Sequence, residues 1–492
     1  MSRRRIQLVG VYLPVLAALL LASCTVGPKY TKPAVPVTPV YKESPPESFR
    51  ESGNWKQAQP GDTKLPGHWW EIFGDSQLNA LEERIDVANL DLKVAEARFR
   101  ESRAAVRYNR SAQYPTISTG PSVEAIRSSS NRPYLPSTVS TKATGDFILP
   151  IDLSYEIDFW GRIRRTVSAS REEAQATAAD LATMSLSLHS ELAIDYLELR
   201  NLDTEQQILN DTVKAYTDAL RLTTNRFEGG AAPKQEVAQA QTQLNTAQAQ
   251  ATDIGVQRAE YEHAIAILIG QPPATFAQAA SPWHANPPNI PVGLPSELLE
   301  RRPDLAAAER RVAEANDQIG IARAAYFPTV TLNATAGFEA SSLTSLFNWP
   351  SRFWAVGPAM AQTLFDAGRR RAASESATAN YDATVASYRQ TTLTAFQQVE
   401  DNLAALRILE REAQQQHDAV LSSQNLLELS MNRYKGGVDT YLQVVTSQTT
   451  NLDNQRTEVD IMRRRMDASV LLIKALGGGW DTSSLPTISS LR

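Results

Sequence analysis

The sequence predicts a mainly α-helical fold with a membrane β part, made of one helix–β-hairpin–long helix–helix unit present twice. Three observations predict it. Shifted by 213 positions, the chain lays Asp91, Leu92, Glu96, Glu101, Arg110, Pro115 and Thr116 on Asp304, Leu305, Glu309, Glu314, Arg323, Pro328 and Thr329. Shifted by 207, it lays Gly161 and Arg162 on Gly368 and Arg369, Asn225, Arg226, Gly229 and Gly230 on Asn432, Arg433, Gly436 and Gly437, and Gly270 on Gly477. Between these anchors lie two long proline-free helical stretches, each preceded by segments that alternate apolar and polar residues.

The elements follow in chain order. Arg3, Arg4 and Arg5 precede an apolar run, Ile6 to Leu21, that ends in Ala22, Ser23 and the only cysteine, Cys24. The form is that of a secretory signal over residues 1–23, too short for a spanning helix and interrupted by Pro14. Leu21-Ala22-Ser23-Cys24 resembles a bacterial lipobox, which implies acylation of Cys24 and membrane attachment through lipid. Thr25, where an Asp would favour inner-membrane retention, points to the outer membrane. Residues 24–68 hold Pro28, Pro33, Pro36, Pro39, Pro45, Pro46, Pro60 and Pro66, so they read as an extended strap that holds the lipid away from the first helix.

The first unit covers residues 69–270. Trp69, Trp70, Phe73, Leu78 and Leu81 open a helical pattern that runs to about Arg110. Strands are expected at about 114–126 and 145–159. In the second, Phe147, Leu149, Ile151, Leu153, Tyr155, Ile157 and Phe159 present one apolar face. From about Arg162 to Arg226 the chain is rich in Ala, Gln, Leu and Glu, with Leu181, Met184, Leu188, Leu192, Tyr196 and Leu199 as one stripe. At 1.5 Å per residue such a helix spans roughly 100 Å. Gly229 and Gly230 supply left-handed backbone for the reversal. Residues 271–295 are a linker. The second unit, 296–477, repeats the order, with strands at about 327–340 and 353–365, a long helix to about Arg433 and the turn Gly436-Gly437. Residues 478–492 form a C-terminal tail.

Alternating segments of about ten residues with aromatic ends suit an outer-membrane barrel. Four strands cannot close one, because an open edge in lipid leaves backbone groups unpaired, so several chains must share a barrel.

Composition closes off other classes. With 42% hydrophobic and 21% charged residues, 27 Pro and one Cys, the chain is neither a disulfide scaffold nor wholly disordered. Its net charge of -5 and lack of any basic block beyond three residues argue against nucleic acid as a partner. Loss of the three leader arginines takes the 49 basic residues to 46 against 54 acidic, or -8. The histidines His68, His189, His263, His284 and His417 stand singly, and no Walker loop or GxSxG occurs. No enzyme activity, metal or cofactor is expected beyond the lipid on Cys24.

Gly293-Leu294-Pro295-Ser296-Glu297-Leu298-Leu299-Glu300-Arg301-Arg302-Pro303-Asp304 with Ala308-Glu309 resembles the signature of the TolC-like outer-membrane efflux lipoproteins. Trp69-Trp70 with Phe73 and Asp75, and Asn225-Arg226-Phe227-Glu228-Gly229-Gly230, carry the same likeness. The resemblance implies a homotrimer, with a β-barrel of twelve strands continued by a periplasmic α-barrel of twelve helices. It also implies a passive exit duct, joined through a periplasmic adaptor (membrane fusion protein) to an inner-membrane pump of the resistance-nodulation-division type. The implied gate lies just past the glycines: Tyr434 and Asp439, with Glu236 at the corresponding acidic position of the first copy. Three Asp439 side chains about one axis would repel unless bridged.

Arg162, Arg164 and Arg165, with Arg369, Arg370 and Arg371, follow the strands and oppose their helix dipoles, so they are read as interface anchors to outer-membrane lipid headgroups or carbonyls on the periplasmic side. A type I secretion duct shares the architecture, and a surface coiled-coil scaffold is the reading from another class.

Overall fold

The computed structural model describes residues 25–43, 45–46, 67–129, 131, 133, 142–283, 286–292, 295–487 and 489–491. Residues 1–24, with Cys24 and the leader, lie outside the described residues, as do Pro60, Pro66, His284, Gly293 and Leu294.

The order is α1 (Ser76–Ala88), α2 (Leu90–Ser111), β1 (Thr116–Ser118), β2 (Ser122–Ile126), β3 (Thr144–Glu156), α3 (Arg162–Glu228), α4 (Lys234–Leu268), α5 (Pro303–Ala324), β4 (Thr329–Ala340), β5 (Arg352–Ala361), α6 (Arg369–Lys435) and α7 (Tyr441–Ala475). The duplication is visible in the boundaries themselves. Helices α2 and α5 have 22 residues each and start 213 positions apart; α3 and α6 have 67 each, α4 and α7 have 35 each, and both pairs are 207 apart.

Each 67-residue helix is too long for one partner. At 1.5 Å per residue it runs about 100 Å, whereas α2 covers about 33 Å and α4 about 53 Å. The shorter helices therefore share it, α2 and α5 lying along the half near the sheet, and α4 and α7 returning along the far half. They meet end to end at one level. There the Asn89 Nδ2 donates to the Leu268 carbonyl at 2.8 Å, while Asn89 Oδ1 caps α2 by accepting from the Leu92 N–H at 2.9 Å. In the second copy the Arg302 Nη1 donates to the Ala475 carbonyl at 2.9 Å. A different side chain thus satisfies the same orphan carbonyl. Asn89, with φ -62° and ψ 130°, interrupts what the sequence pattern suggested was one helix to Arg110.

The largest core surrounds this level, with Trp69, Trp70, Leu78, Leu192, Tyr196, Leu403 and Leu472 buried. Of the predicted stripe on α3, Leu188, Leu192, Tyr196 and Leu199 are buried, but Met184 is exposed. The C-terminal segment also packs inward: Gln175 Nε2 donates to the Pro486 carbonyl at 2.9 Å, and Leu491 is buried against Val106 and Ala174.

His189 does not stand alone. Its Nδ1 lies 2.7 Å from Glu82 Oε2, its Nε2 lies 3.2 Å from Asp86 Oδ1, and its ring stacks on Trp70 at 4.5 Å. Burial pushes the Glu82 carboxyl up to about 7, against the His189 bond that works to lower it. Burial works to lower the imidazole, but the Glu82 and Asp86 carboxylates outweigh it and raise it. Both groups hold a proton more tightly folded than unfolded, so their contribution is full at low pH and fades as pH climbs through the native values. Thermal stability should therefore fall from about pH 5 to about pH 8, and Glu82→Gln should flatten that slope. Parallel unfolding curves of wild type and variant across this range would count against the assignment.

Candidate functional site

The strands form one antiparallel sheet in the order β1-β3-β4-β5, with β2 also pairing with β3. The expected strand at 114–126 is thus split, the break containing Pro121, which has no N–H to donate. The register joins the two copies: Leu149 faces Phe338, Ile151 faces Ala336 and Leu153 faces Ala334, while Ala336 faces Trp354 and Ala334 faces Val356. Ile117 and Val123 pair with Leu153 and Phe147 on the same side. One face is consequently apolar across all strands except at Arg352, which faces Phe338 at the start of β5. Trp354 is 77% exposed, Met360 72% and Ile117 72%, so this single chain leaves the face without cover. Aromatic residues flank it at both ends, Phe347 and Trp349 at the hairpin end, Tyr326, Phe327 and Phe365 toward the helices, all exposed. The opposite face carries Glu124, Asp146, Asp152, Glu156 and Glu339 with Ser, Thr and Asn, interrupted by Ile126, Ile148, Pro150 and Phe353, and the described strands place no Lys or Arg on it. The pairing leaves β1/β2 and β5 as open edges. No helix among the described residues is long and apolar enough to cross a membrane.

The strap starts at the sheet's helix-side end. The Val26 N–H donates to the Trp160 carbonyl at 3.1 Å, and Trp160 stacks on Phe327 at 4.5 Å. From there the strap is held along the helices. Arg165 Nη2 donates to the Pro28 carbonyl at 3.0 Å, the Tyr30 hydroxyl bonds Glu309, and the Lys42 and Glu43 N–H groups both donate to the Glu400 carboxylate at 2.8 Å. Arg407 and Glu43 form an ion pair.

The arginines after the strands have a local role that the sequence reading missed. Asp158 accepts from the N–H groups of Ile163 at 3.2 Å and Arg164 at 2.9 Å, capping α3, and Asp366 accepts from Gly368 at 3.1 Å and Arg370 at 3.2 Å. These carboxylates satisfy the helix dipoles. The guanidiniums then bind carboxylates: Arg162 forks onto Glu156 at 2.6 and 3.1 Å, Arg164 meets Asp158 at 3.2 Å, Arg370 meets Asp366 at 2.6 Å and Arg371 meets Glu375 at 2.9 Å. Arg369 is exposed. Arg165 is buried, bonded to Asp317 at 2.8 Å and to the Pro28 carbonyl of the strap, so of the two expected partners it meets a carbonyl and not a headgroup.

At the far ends, α3 and α6 stop in the same way. Only the second glycine of each pair is left-handed, Gly230 with φ 73° and Gly437 with φ 71°, while Gly229 and Gly436 keep helical φ. The Ala231 N–H donates back to the Arg226 carbonyl at 2.7 Å, and the Val438 N–H to the Arg433 carbonyl at 3.0 Å, closing two Schellman turns.

The tips are then joined to each other. The Tyr434 hydroxyl donates to Glu236 Oε2 at 2.8 Å. Arg226 donates to the Tyr434 carbonyl at 3.0 Å and the Lys435 carbonyl at 3.2 Å, capping α6 from the other hairpin, and its guanidinium lies 4.7 Å over the Tyr434 ring. Tyr434 packs edge-on against Tyr441 at 5.3 Å, with Ala219, Ala240 and Val444 buried beside them. Burial and the Glu236 bond push the Tyr434 phenol up, so it stays a donor at neutral pH.

Two expectations change. Asp439 is no bare acid: its carboxylate accepts from Arg433 Nε at 2.5 Å, which holds its pKa below the usual range. Nor does Glu236 match Asp439 in the first copy, since the 207 offset pairs Asp439 with Ala232 and Glu236 with Gln443. Arg433 thus has a local carboxylate, whereas its mate Arg226 has Ala232 there and reaches across to α6. Tyr434 is matched by Phe227, so each chain makes this Tyr–Glu bond once.

Residues 83–271 and 294–478 match the protein family described as outer membrane efflux protein. The chain is 31% identical over 473 residues to the toluene efflux pump outer membrane protein TtgF of Pseudomonas putida, covering 96% of this chain and 98% of that one. It is 32% identical over 417 residues to the pyoverdine export outer membrane protein OpmQ of Pseudomonas aeruginosa, covering 84% and 88%. The solved structure of the outer-membrane channel OprN superposes with a TM-score of 0.84 at 28% identity, covering 93% of this chain and 100% of that one.

A bond to a charged carboxylate contributes about 1.5–3 kcal/mol, so removing it should shift an open–closed balance by about tenfold or more. Tyr434→Phe and Arg226→Ala are each expected to raise single-channel conductance in a planar bilayer, with Glu236→Gln acting in the same direction. Conductance equal to wild type in all three would remove the tips from the gate.

Proposed function

The chain belongs to the outer membrane efflux protein family, and from that premise we propose how it works. It is the outer-membrane exit duct of a tripartite efflux system, sited in the outer membrane with its helical tunnel in the periplasm. It acts with an adaptor and an inner-membrane pump. The finer reading is that the pump is of the resistance-nodulation-division type and that three copies of the chain form the duct.

The observation that carries this reading is the sheet. One face is apolar and open to cover, the other is lined by carboxylates and hydroxyls, and both lateral edges are unpaired. An unpaired edge costs several kcal/mol per backbone group in hydrocarbon. Three sheets joined edge to edge remove that cost, turn the apolar faces to lipid and leave a polar bore. The long helices continue the bore as a tunnel of helix hairpins. Flow is downhill through it, with energy supplied by the pump, and the tip bonds among Tyr434, Glu236 and Arg226 hold it shut at rest.

Lipid on Cys24 fits the same geometry. Thr25 and Val26 sit beside Trp160 and Gly161, where strand gives way to helix. An acyl chain on the preceding residue enters the bilayer at the level of the Trp160–Phe327 stack, and the strap that follows runs away from the membrane along the helices. The arginines left exposed there, Arg369 and Arg371, suit contact with phosphate headgroups.

The cargo suggested by the relatives is small organic solutes, since they are named for toluene and for pyoverdine export. Cells lacking this chain should accumulate aromatic solvents, dyes or siderophore-like compounds, and the wild-type chain should reverse it; unchanged accumulation of every compound, with the pump expressed and no other duct substituting, would defeat the reading. Labelled palmitate should enter the protein and be lost in Cys24→Ala, and equal label in both would refute the anchor.

A further inference from the structure

About two to five turns from the latched tips, toward the sheet, a cavity of about 230 Å³ opens between α3 and α7, with α6 along one side. Its wall holds two buried polar side chains without a protein partner at one atom each. Tyr216 is 4% exposed with its hydroxyl unpaired, and Gln448 is 3% exposed with its Oε1 unpaired. A buried polar atom left unpaired costs about 1–3 kcal/mol, so two facing one cavity ask for a guest. Burial pushes the Tyr216 phenol up to about 12, so it is neutral at physiological pH and its oxygen can accept as well as donate.

The chemistry of the guest follows from the remaining wall. Among the described residues, the exposed Asp211 is the one acidic side chain bordering the cavity, no Lys or Arg does, and Thr212, Asn451 and Gln455 complete its polar wall. The Asp211 and Gln448 side-chain oxygens accept and the Tyr216 hydroxyl can do so, which suits an ammonium with its three donors and no acceptor. Ile208, Leu427 and Leu452 supply an apolar side. The volume lies below the range usual for drug-sized ligands, which limits the guest to one ring. We propose that this cavity is a binding site for small aromatic ammonium compounds.

Its position gives the site a consequence. Asp211 and Tyr216 lie on α3 and Gln448 on α7, so an occupied site ties together the two hairpins that the Tyr434–Glu236 bond ties at the tips. Gln448 also lies beside Tyr441, which packs on Tyr434. Occupancy therefore holds the tips together and lowers conductance. That effect, unlike binding itself, rests on the reading of the chain as a gated duct.

The probe is benzylamine, with benzyl alcohol and benzoate as neutral and anionic comparators, titrated by calorimetry into the full-length protein in lipid nanodiscs. Saturable binding of benzylamine, weaker for the alcohol and absent for benzoate, is expected. Loss of one hydrogen bond to the ammonium should raise Kd about tenfold in Gln448→Leu. Should that variant fail to fold, Tyr216→Phe carries the same expectation with almost no change of shape. No saturable binding, equal binding of all three compounds, or an unchanged Kd in the folded variant would overturn the site. Benzylamine that binds but leaves single-channel conductance unaltered would overturn the bridging of the hairpins while leaving the site itself supported.

Discussion

The architecture hangs on two hydrogen bonds at one level, from Asn89 to the last carbonyls of α4 and from Arg302 to those of α7. A helix of 67 residues needs company along its whole length. No short helix can give it, and a second equally long one would have to bend with it. The chain instead uses two shorter helices laid end to end, and the weak point of that solution is the junction, where one helix exposes carbonyls as the next begins. A side chain that caps one end while holding the other turns the junction into a joint. The buried tryptophans and the His189 cluster gather there because four helix ends leave space that only large side chains fill.

Much of this was legible in the sequence because duplication writes the same signal twice. The offsets of 213 and 207 recur in the helix boundaries, and alternation from Phe147 to Phe159 follows from the two-residue period of a strand. Tyr434 could be singled out through the resemblance to the TolC-like family, carried over at the glycine turn. What escaped notice were contacts with no local period. His189 meets Glu82 across 107 positions, and Arg226 meets the Tyr434 carbonyl across 208. Neither spacing leaves a trace in a single sequence. The local partners of the arginines after the strands left no trace either, since Glu156, Asp158 and Asp366 lie at or just beyond the strand ends and only the fold turns them toward the guanidiniums.

The two copies differ in side chains at the tips, where they touch each other. In the helices they match in length, but at the tips one hairpin offers Tyr434 and the carbonyls of Tyr434 and Lys435, and the other offers Glu236 and Arg226. Had the copies stayed alike here, the pair of tips would carry either two phenols without acids or two acids without phenols. Substitution of Phe227 and Gln443 at the matched positions leaves one directed contact. Arg433, bound to Asp439, is kept out of it, so of the two matched arginines only Arg226 crosses between the hairpins.

The unpaired edges of the sheet bear on how the protein is made. A protomer carrying β1/β2 on one side and β5 on the other has no stable place in hydrocarbon by itself, and in water its apolar face invites aggregation. The helical part makes its turn and joint contacts within one chain, but α6 and α7 still leave Leu421, Leu426, Leu429 and Leu442 exposed. On the proposal that copies join edge to edge, the strand edges are satisfied only in that assembly, so its formation depends on protomer concentration, and an anchor that confines diffusion to two dimensions speeds the encounters.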